Sequence, residues 1–241
     1  MTVVPSVLPT QPAAAAVPLP ALPAGCVNTI VYADCFKFLR RLPPGCVDLV
    51  LTDPPCALSR AGVQYRFQDG ESQASRIRRP DFGAWDRFDS PATYRAWLVR
   101  ALDEMLRVLK PGGVIALFCQ DRFLSAVIEH FESGGHRFIN SFVLHKKNPF
   151  PLLRKVGLMH ALEYGVIAAK NGARHTFNFQ LGYQSNCLTA AVHYPAERRC
   201  GSHPNQKPEC VVEPLLVRDR WRKPLGFQDL FGIVTDVGAT A

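Results

Sequence analysis

The chain lacks a Cys-x-x-Cys pair, although it carries eight cysteines, at positions 26, 35, 46, 56, 119, 187, 200 and 210. No histidine joins two of them at zinc-ligand spacing, so no metal site is read from the sequence. Several sit in apolar runs, as Cys119 does in Leu117-Phe118-Cys119, and are expected to be small buried residues in a reducing, cytoplasmic setting. Charge is missing altogether from residues 1–24, which hold six prolines and six alanines. Such a segment has little to bury and cannot keep a helix across so many prolines. It also lacks the basic start and continuous apolar run of a signal peptide, and reads as a disordered leader. Nowhere does an apolar stretch approach the length of a membrane span, so no membrane partner is expected. Acids are the scarcer charge. There are 20 Asp and Glu against 28 Lys and Arg, a formal charge of +8 and a pI near 9.2. A basic surplus favours a polyanionic partner.

What is present suits one domain over residues 25–241, with 47% apolar residues to fill its core. Asn28–Tyr32 reads as a short strand, and Asp34 as the cap of a helix whose apolar side is Phe36, Phe38, Leu39 and Leu42. Pro43-Pro44-Gly45 ends that helix, and Val47–Leu51 follows as a buried strand. Residues 57–90, rich in Arg, Asp, Gln, Gly and Ser, read as a long loop near the site. Ser90 and Pro91 open a helix running to about Leu109, whose stripe of Trp97, Leu98, Ala101, Leu102, Met105 and Leu106 faces the core. Lys110-Pro111-Gly112-Gly113 turns it into a strand at Val114–Phe118. A helix at Phe123–Phe131, a strand at Phe138–Leu144, a basic loop at His145–Lys155 and a strand at Ala161–Ala169 follow. Strands alternating with helices predict a parallel or mixed sheet with helices on both faces, its site at the carboxyl ends of the strands. Residues 171–202 are a candidate target-recognition insert.

The strand Val47–Leu51 leads straight into Thr52-Asp53-Pro54-Pro55-Cys56. Two prolines remove two backbone donors and fix the chain direction. The groups left are a carboxylate and carbonyls, all acceptors, which suit a ligand presenting an N–H₂ group. The exocyclic amine of adenine or cytosine is one, and it is a poor nucleophile because its lone pair is delocalised into the ring. Accepting hydrogen bonds from both N–H bonds, at Asp53 and the Pro54 carbonyl, helps localise that pair. The base must leave the duplex stack to reach them.

The order of the blocks extends this. Residues Asn28–Cys56, with Ala33-Asp34 and Asp53-Pro54-Pro55-Cys56, closely resemble the beta-class DNA amino-methyltransferases, the N6-adenine and N4-cytosine methylases. Leu109-Lys110-Pro111-Gly112-Gly113, Lys147-Asn148-Pro149 through Glu163, and His203-Pro204-Asn205-Gln206-Lys207-Pro208 are similar to further blocks of that family, in family order. The resemblance implies an α/β, Rossmann-like methyltransferase sheet, S-adenosylmethionine as methyl donor and DNA as partner. It implies that Asp53, Pro54, Pro55 and Cys56 form the catalytic motif and that Asp34 contacts the adenosine part of the cofactor. His203, Pro204, Lys207 and Pro208 would border its methionine end, with Asp229 and Phe231 as further cofactor residues. Asp before Pro-Pro leans towards adenine N6 over cytosine N4.

Two departures stand out. Position 56 is Cys where the family has an aromatic that stacks on the flipped base, a contact typically worth ~1–3 kcal/mol. After the His-Pro-x-x-Lys-Pro block the family has a strand ending in Asp-Pro-Phe-x-Gly-x-Gly-Thr. Here Asp229-Leu230-Phe231-Gly232-Ile233-Val234-Thr235-Asp236 keeps the Asp and Phe but not Gly-x-Gly. The C-terminal part of the sheet is therefore expected to be incomplete, through truncation or a frame shift. The alternatives are a catalytically defective DNA-binding relative or remnant, and an RNA methyltransferase. A cytosine-C5 enzyme with Cys56 as nucleophile would need a Gly-rich cofactor loop upstream and a downstream Glu-Asn-Val, and the sequence has neither. Arg76, Arg78, Arg79, Lys146, Lys147, Arg154 and Lys155 are the candidate DNA contacts, lying in loops expected near the site.

Overall fold

A computed structural model describes residues 29, 31, 33–57, 63–66, 75–78, 86–149, 158–177, 182–191, 206–218 and 232–236. The leader expected over 1–24 lies outside them. So does most of the strand expected at Asn28–Tyr32, of which Thr29 and Val31 are described and belong to no strand.

Helix α1 (Cys35–Leu39) opens on Asp34, whose carboxylate accepts from Lys37 N at 2.9 Å, the expected N-cap. Its last carbonyl is satisfied from outside: Arg107 donates to Leu39 O at 2.7 Å, and also to Leu42 O beyond the helix at 2.9 Å. Strand β1 (Val47–Asp53) runs two residues past the expected Leu51, so Thr52 and Asp53 belong to the strand itself. Within the expected 57–90 loop, β2 (Val63–Arg66) and β3 (Ser75–Arg78) pair as an antiparallel ribbon, Tyr65 opposite Arg76. Helix α2 (Pro91–Val108) starts on Ser90, whose hydroxyl accepts from Thr93 N at 3.1 Å. The expected core stripe is buried at Leu98, Ala101, Leu102, Met105 and Leu106, while Trp97 is half-buried.

Strand β4 (Leu109–Cys119) absorbs the segment expected to be a turn. Along β1 the register goes from Val47↔Leu109 to Leu49↔Val114, so five steps of β4 lie against two of β1 and Lys110–Gly113 bulge outward. Lys170 closes the bulge: Gly112 N donates to Lys170 O and Lys170 N to Gly113 O, both at 2.9 Å. At Gly112 (φ +76) a Cβ would come within 2.9 Å of Arg174 O. Helix α3 (Leu124–Ser133), strands β5 (Arg137–Lys146), β6 (Leu162–Ala169) and β7 (Cys187–Ala190), helix α4 (Glu209–Arg218) and strand β8 (Gly232–Asp236) complete the described elements.

The main sheet has the order β7-β5-β6-β4-β1-β8. β1 is parallel to β4 and β8, β6 is antiparallel to β4 and β5, and β7 is parallel to β5. The sheet is thus mixed. Alternation along its strands divides two cores. Val50, Ile115, Leu117, Val166 and Ala168 pack with Phe36 and Leu39 of α1, the stripe of α2 and Val127 and Phe131 of α3. Leu51, Ala116, Phe118, Phe142 and Leu144 face the other way, onto Val211 and Leu215 of α4. Helices cover both faces, as the sequence predicted. Residues 187–190, inside the stretch marked as a candidate insert, form the β7 edge of this sheet.

Candidate active site

Thr52 is buried at 2% exposure at the end of β1, and Asp53 follows as the last strand residue. Pro54 and Pro55 are buried and carry the chain off the sheet, and Ala57 takes a left-handed turn with φ 51. Two side chains brace this corner. Asp86, 1% exposed, accepts from Cys56 N at 2.9 Å, and Gln120, directly after β4, donates to Cys56 O. Both neighbours lie where parallel strands end, the position at which α/β sheets bind ligands.

Lys207 meets Asp53 from 154 residues away. Its ammonium lies 2.5 Å from Asp53 Oδ2 and 3.3 Å from Glu163 Oε2, and Glu163 Oε1 in turn takes Lys146 Nζ at 2.6 Å. Below it, the Phe118 ring centroid lies 5.0 Å from Nζ. The Lys-Pro dipeptide explains the placement. Pro208 is buried at the entrance to α4, its carbonyl accepts from Val211 N at 2.9 Å and from Val212 N at 3.2 Å, and the burial of Val211 and Leu215 fixes the helix on the sheet. Burial opposes the Lys207 charge, and the carboxylates of Asp53 and Glu163 overcome that and hold the ammonium above its ordinary range. Glu163 shows the converse: burial works against its charge, yet Lys207 and Lys146 hold its carboxyl below the usual range.

Cys56 is a neutral thiol. Burial first, and the neighbouring Asp53 next, push it up to about 12. Its Sγ–H donates to Pro54 O at 3.5 Å, leaving that carbonyl a second lone pair for a ligand. A thiol held this way is not the thiolate that a covalent cytosine-C5 route needs. At pH 8, iodoacetamide is expected to label the exposed Cys187 and Cys210 in the native protein while Cys56 and Cys119, the latter also pushed up to about 12 by burial, react only after unfolding. Peptide mass spectrometry reads this directly, and native labelling of Cys56 at the rate of Cys187 would contradict it. The described cysteines are all free. Cys46 and Cys119 are buried as expected, but Cys187 and Cys210 are exposed, which corrects the uniform reading as core residues.

The structure therefore brings Asp53, Pro54, Pro55, Cys56 and Lys207 together. Lys207, expected beside the cofactor, has its ammonium on Asp53. Asp34 is exposed and caps α1. Lys147 is exposed beyond the end of β5, whereas Lys146, expected on DNA, has its ammonium turned to Glu163. His203, Pro204, Asp229, Phe231, Arg79, Arg154 and Lys155 lie outside the described residues. Arg76 and Arg78 lie on β3. Beyond Phe231 the chain forms β8, whose register sets Asp236 beside Asp53, so the strand begins where the family pattern places its end. Glu163, Asp86, Gln120 and Phe118 were not singled out by sequence. An acid inside the apolar run Ala161–Ala169 was a usable signal for Glu163, and a polar residue directly after a strand was one for Gln120. Among the described residues no cluster could hold a metal ion and no helix is long and apolar enough to cross a membrane.

A mixed α/β sheet with an Asp-Pro-Pro corner at the carboxyl end of a central strand defines a methyltransferase-like α/β enzyme. The DNA methylase family matches residues 47–219, and the chain belongs to it, as a DNA amino-methyltransferase of the N6/N4 type. It is 28% identical over 200 residues to the Type II methyltransferase M2.DpnII of Streptococcus pneumoniae, covering 78% of this chain and 71% of that protein. The Type II methyltransferase M2.LlaDCHI of Lactococcus lactis subsp. cremoris is likewise 28% identical, over 197 residues, covering 78% of this chain and 71% of the relative. Among solved structures, the M1.HpyAVI–SAM complex superposes with a TM-score of 0.53 at 18% identity, over 78% of this chain and 74% of the other. The cytosine-N4-specific PvuII DNA methyltransferase gives 0.55 at 13% identity, over 78% and 68%. These two likenesses bear on the fold, which they share with the chain.

Proposed function

We propose that the chain transfers a methyl group from S-adenosylmethionine to the exocyclic amine of a base drawn out of a DNA duplex, with adenine N6 favoured over cytosine N4. The observation that carries this is the Asp53-Pro54 corner, a buried carboxylate and a carbonyl adjacent at the end of β1, with Asp53 Oδ2 pinned by Lys207. The cofactor, when bound, would supply an electrophilic methyl on a sulfonium, whose S–CH3 bond would break as the new N–C bond forms and leave a neutral thioether. The residues present fit that group. Asp53 offers a carboxylate for a cationic sulfur, and the exposed Asp34 a carboxylate for the adenosine part. His203, Pro204, Asp229 and Phe231 are assigned to cofactor binding from the family pattern.

The chain's own contribution is to make the amine nucleophilic. Asp53 accepts one N–H and Pro54 O the other, drawing the nitrogen lone pair out of the ring. As the new N–C bond forms, the amine nitrogen gains positive charge beside Asp53, and one N–H proton then leaves to solvent. Preorganised acceptors facing that developing charge are the main catalytic resource available here. Lys147, with Arg76, Arg78, Arg79, Arg154 and Lys155, is assigned to DNA phosphates, and the 171–202 stretch to target recognition.

Methyl incorporation tests this reading. The protein is incubated separately with unmethylated DNA and with RNA, each with labelled S-adenosylmethionine, and the nucleic acid is digested to nucleosides. Label in N6-methyl-2′-deoxyadenosine is the expected outcome. Label in N4-methyl-2′-deoxycytidine would reverse the base preference, label in RNA alone would replace the acceptor, and no label in any nucleic acid would overturn the reading.

A further inference from the structure

The four side chains Lys146, Glu163, Lys207 and Asp53 form one continuous ion-pair chain, cation and anion alternating, from the end of β5 across β6 to the end of β1. Each is less than one-third exposed, and Lys207 and Asp53 are at 14% and 19%. Two ammoniums and two carboxylates sum to zero, which lets a lysine sit this deep. The methyl-transfer reading uses Asp53 and its partner Lys207, and gives Glu163 and Lys146 no part. Glu163 takes Lys207 on one oxygen and Lys146 on the other.

We propose that Glu163 is a positioning residue for methyl transfer: braced by Lys146, it fixes the Lys207 ammonium on Asp53 Oδ2 and so holds the Asp53 carboxylate in one orientation at the corner. This rests on the reading of Asp53 as the acceptor of an amine N–H. A four-carbon lysine stem has many rotamers, and one carboxylate alone leaves the ammonium free to swing about it. Two carboxylates and the Phe118 ring around it narrow the ammonium's choice of position. The proposal also gives Lys146 a role, as the brace of Glu163.

The charge balance makes the test sharp. Glu163→Gln leaves the chain one positive charge in excess, Lys207→Met leaves one negative in excess, and the double variant is neutral again. If Glu163 acts through Lys207, Glu163→Gln lowers kcat about tenfold in the wild-type background, as expected within one ion-pair network, and changes it little once Lys207 is already Met. DNA and S-adenosylmethionine affinities stay near wild type. The pH profile adds a readout that a purely structural role would not move. Among the described residues Lys207, Cys56 and Tyr94 face Asp53, and Glu163 lies behind Lys207. Removing the Lys207 cation moves the acid limb of kcat upward in Lys207→Met. Removing the nearby anion as well brings the limb part of the way back in the double variant. Equal kcat losses from Glu163→Gln in both backgrounds, or an unmoved acid limb, would overturn the proposal. Thermal unfolding of the same four proteins is the readout without activity, and the double variant is expected to lose less than the two singles added together. Should the wild type transfer no methyl, the methyl-transfer reading fails, and the unfolding cycle still decides whether Glu163 and Lys207 are linked, additive losses refuting the linkage.

Discussion

Asp53→Asn is expected to lower kcat/KM for methyl transfer by about 100- to 1,000-fold, the loss typical of one preorganised group aimed at developing charge. The reason lies in what the substitution inverts. Asparagine keeps the shape but replaces one acceptor oxygen with an N–H₂ donor. In one orientation that donor faces Lys207, in the other it faces the incoming amine, and both contacts are repulsive. The fold is expected to survive. Lys207 keeps Glu163 at 3.3 Å, and Thr52, Pro54 and Pro55 remain buried around the corner. Circular dichroism should therefore match wild type. Labelled methyl incorporation into unmethylated DNA measures the effect, with calorimetry on each ligand as control. Wild-type turnover in this variant would remove Asp53 from the mechanism.

The largest stability effect is expected at a residue that touches no ligand. Gly165 sits in β6, opposite Phe142 of β5 and Phe118 of β4. A Cβ there would fall inside the Phe142 ring and 2.7 Å from Leu117 O. The ring cannot tilt away freely, because it is fully buried and packs edge-on against Phe118 at 5.1 Å. Gly165→Ala should cost about 3 kcal/mol, the upper part of the overpacking range. For a chain of this size that lowers Tm by roughly 6–12 °C. Phe142→Leu in the same chain opens space for the methyl and should recover part of the loss. If Gly165→Ala melts with wild type, the close approach of these strands is not as described. Any displacement of Phe142 also reaches Phe118, the ring under the Lys207 ammonium, so the surviving enzyme should be slower as well.

How much of this was legible depended on distance along the chain. Local features were readable. Asp34 and Ser90 are caps because a short polar side chain precedes an apolar helical stripe, and both make the expected hydrogen bonds. The Val47 strand was readable from its apolar run, but its last two residues were not. Thr52 and Asp53 look like an exit by composition, and only pairing with Leu117 on one side and with Thr235 and Asp236 on the other keeps them in the sheet. The bulge at Lys110–Gly113 was hidden for a similar reason. Pro-Gly-Gly is turn chemistry, and a strand forms through it only because Lys170 supplies backbone partners. The β2–β3 ribbon is four residues a side, too short for alternation to stand out in a polar stretch. At the site, Asp53-Pro54-Pro55 was evident because it is contiguous. The Lys207 contact was not, since no local pattern relates residues 154 positions apart. The excess of positive charge was read as surface for DNA, yet two of those cations, Lys146 and Lys207, are half-buried and consumed by carboxylates.

The separation between Asp53 and Lys207 also sets a timetable. At ordinary synthesis rates of about 5–20 residues per second, the 154 residues between them take roughly 8–30 s to make. Throughout that interval β1 has been made but β8 has not, so the strand that carries Asp53 has an open edge on the side β8 will cover. The acceptor that defines the enzyme is thus completed almost last, and a growing chain waits with its central strand half-paired. A newborn copy is most exposed to mispairing in that window, and cannot act on nucleic acid until it closes.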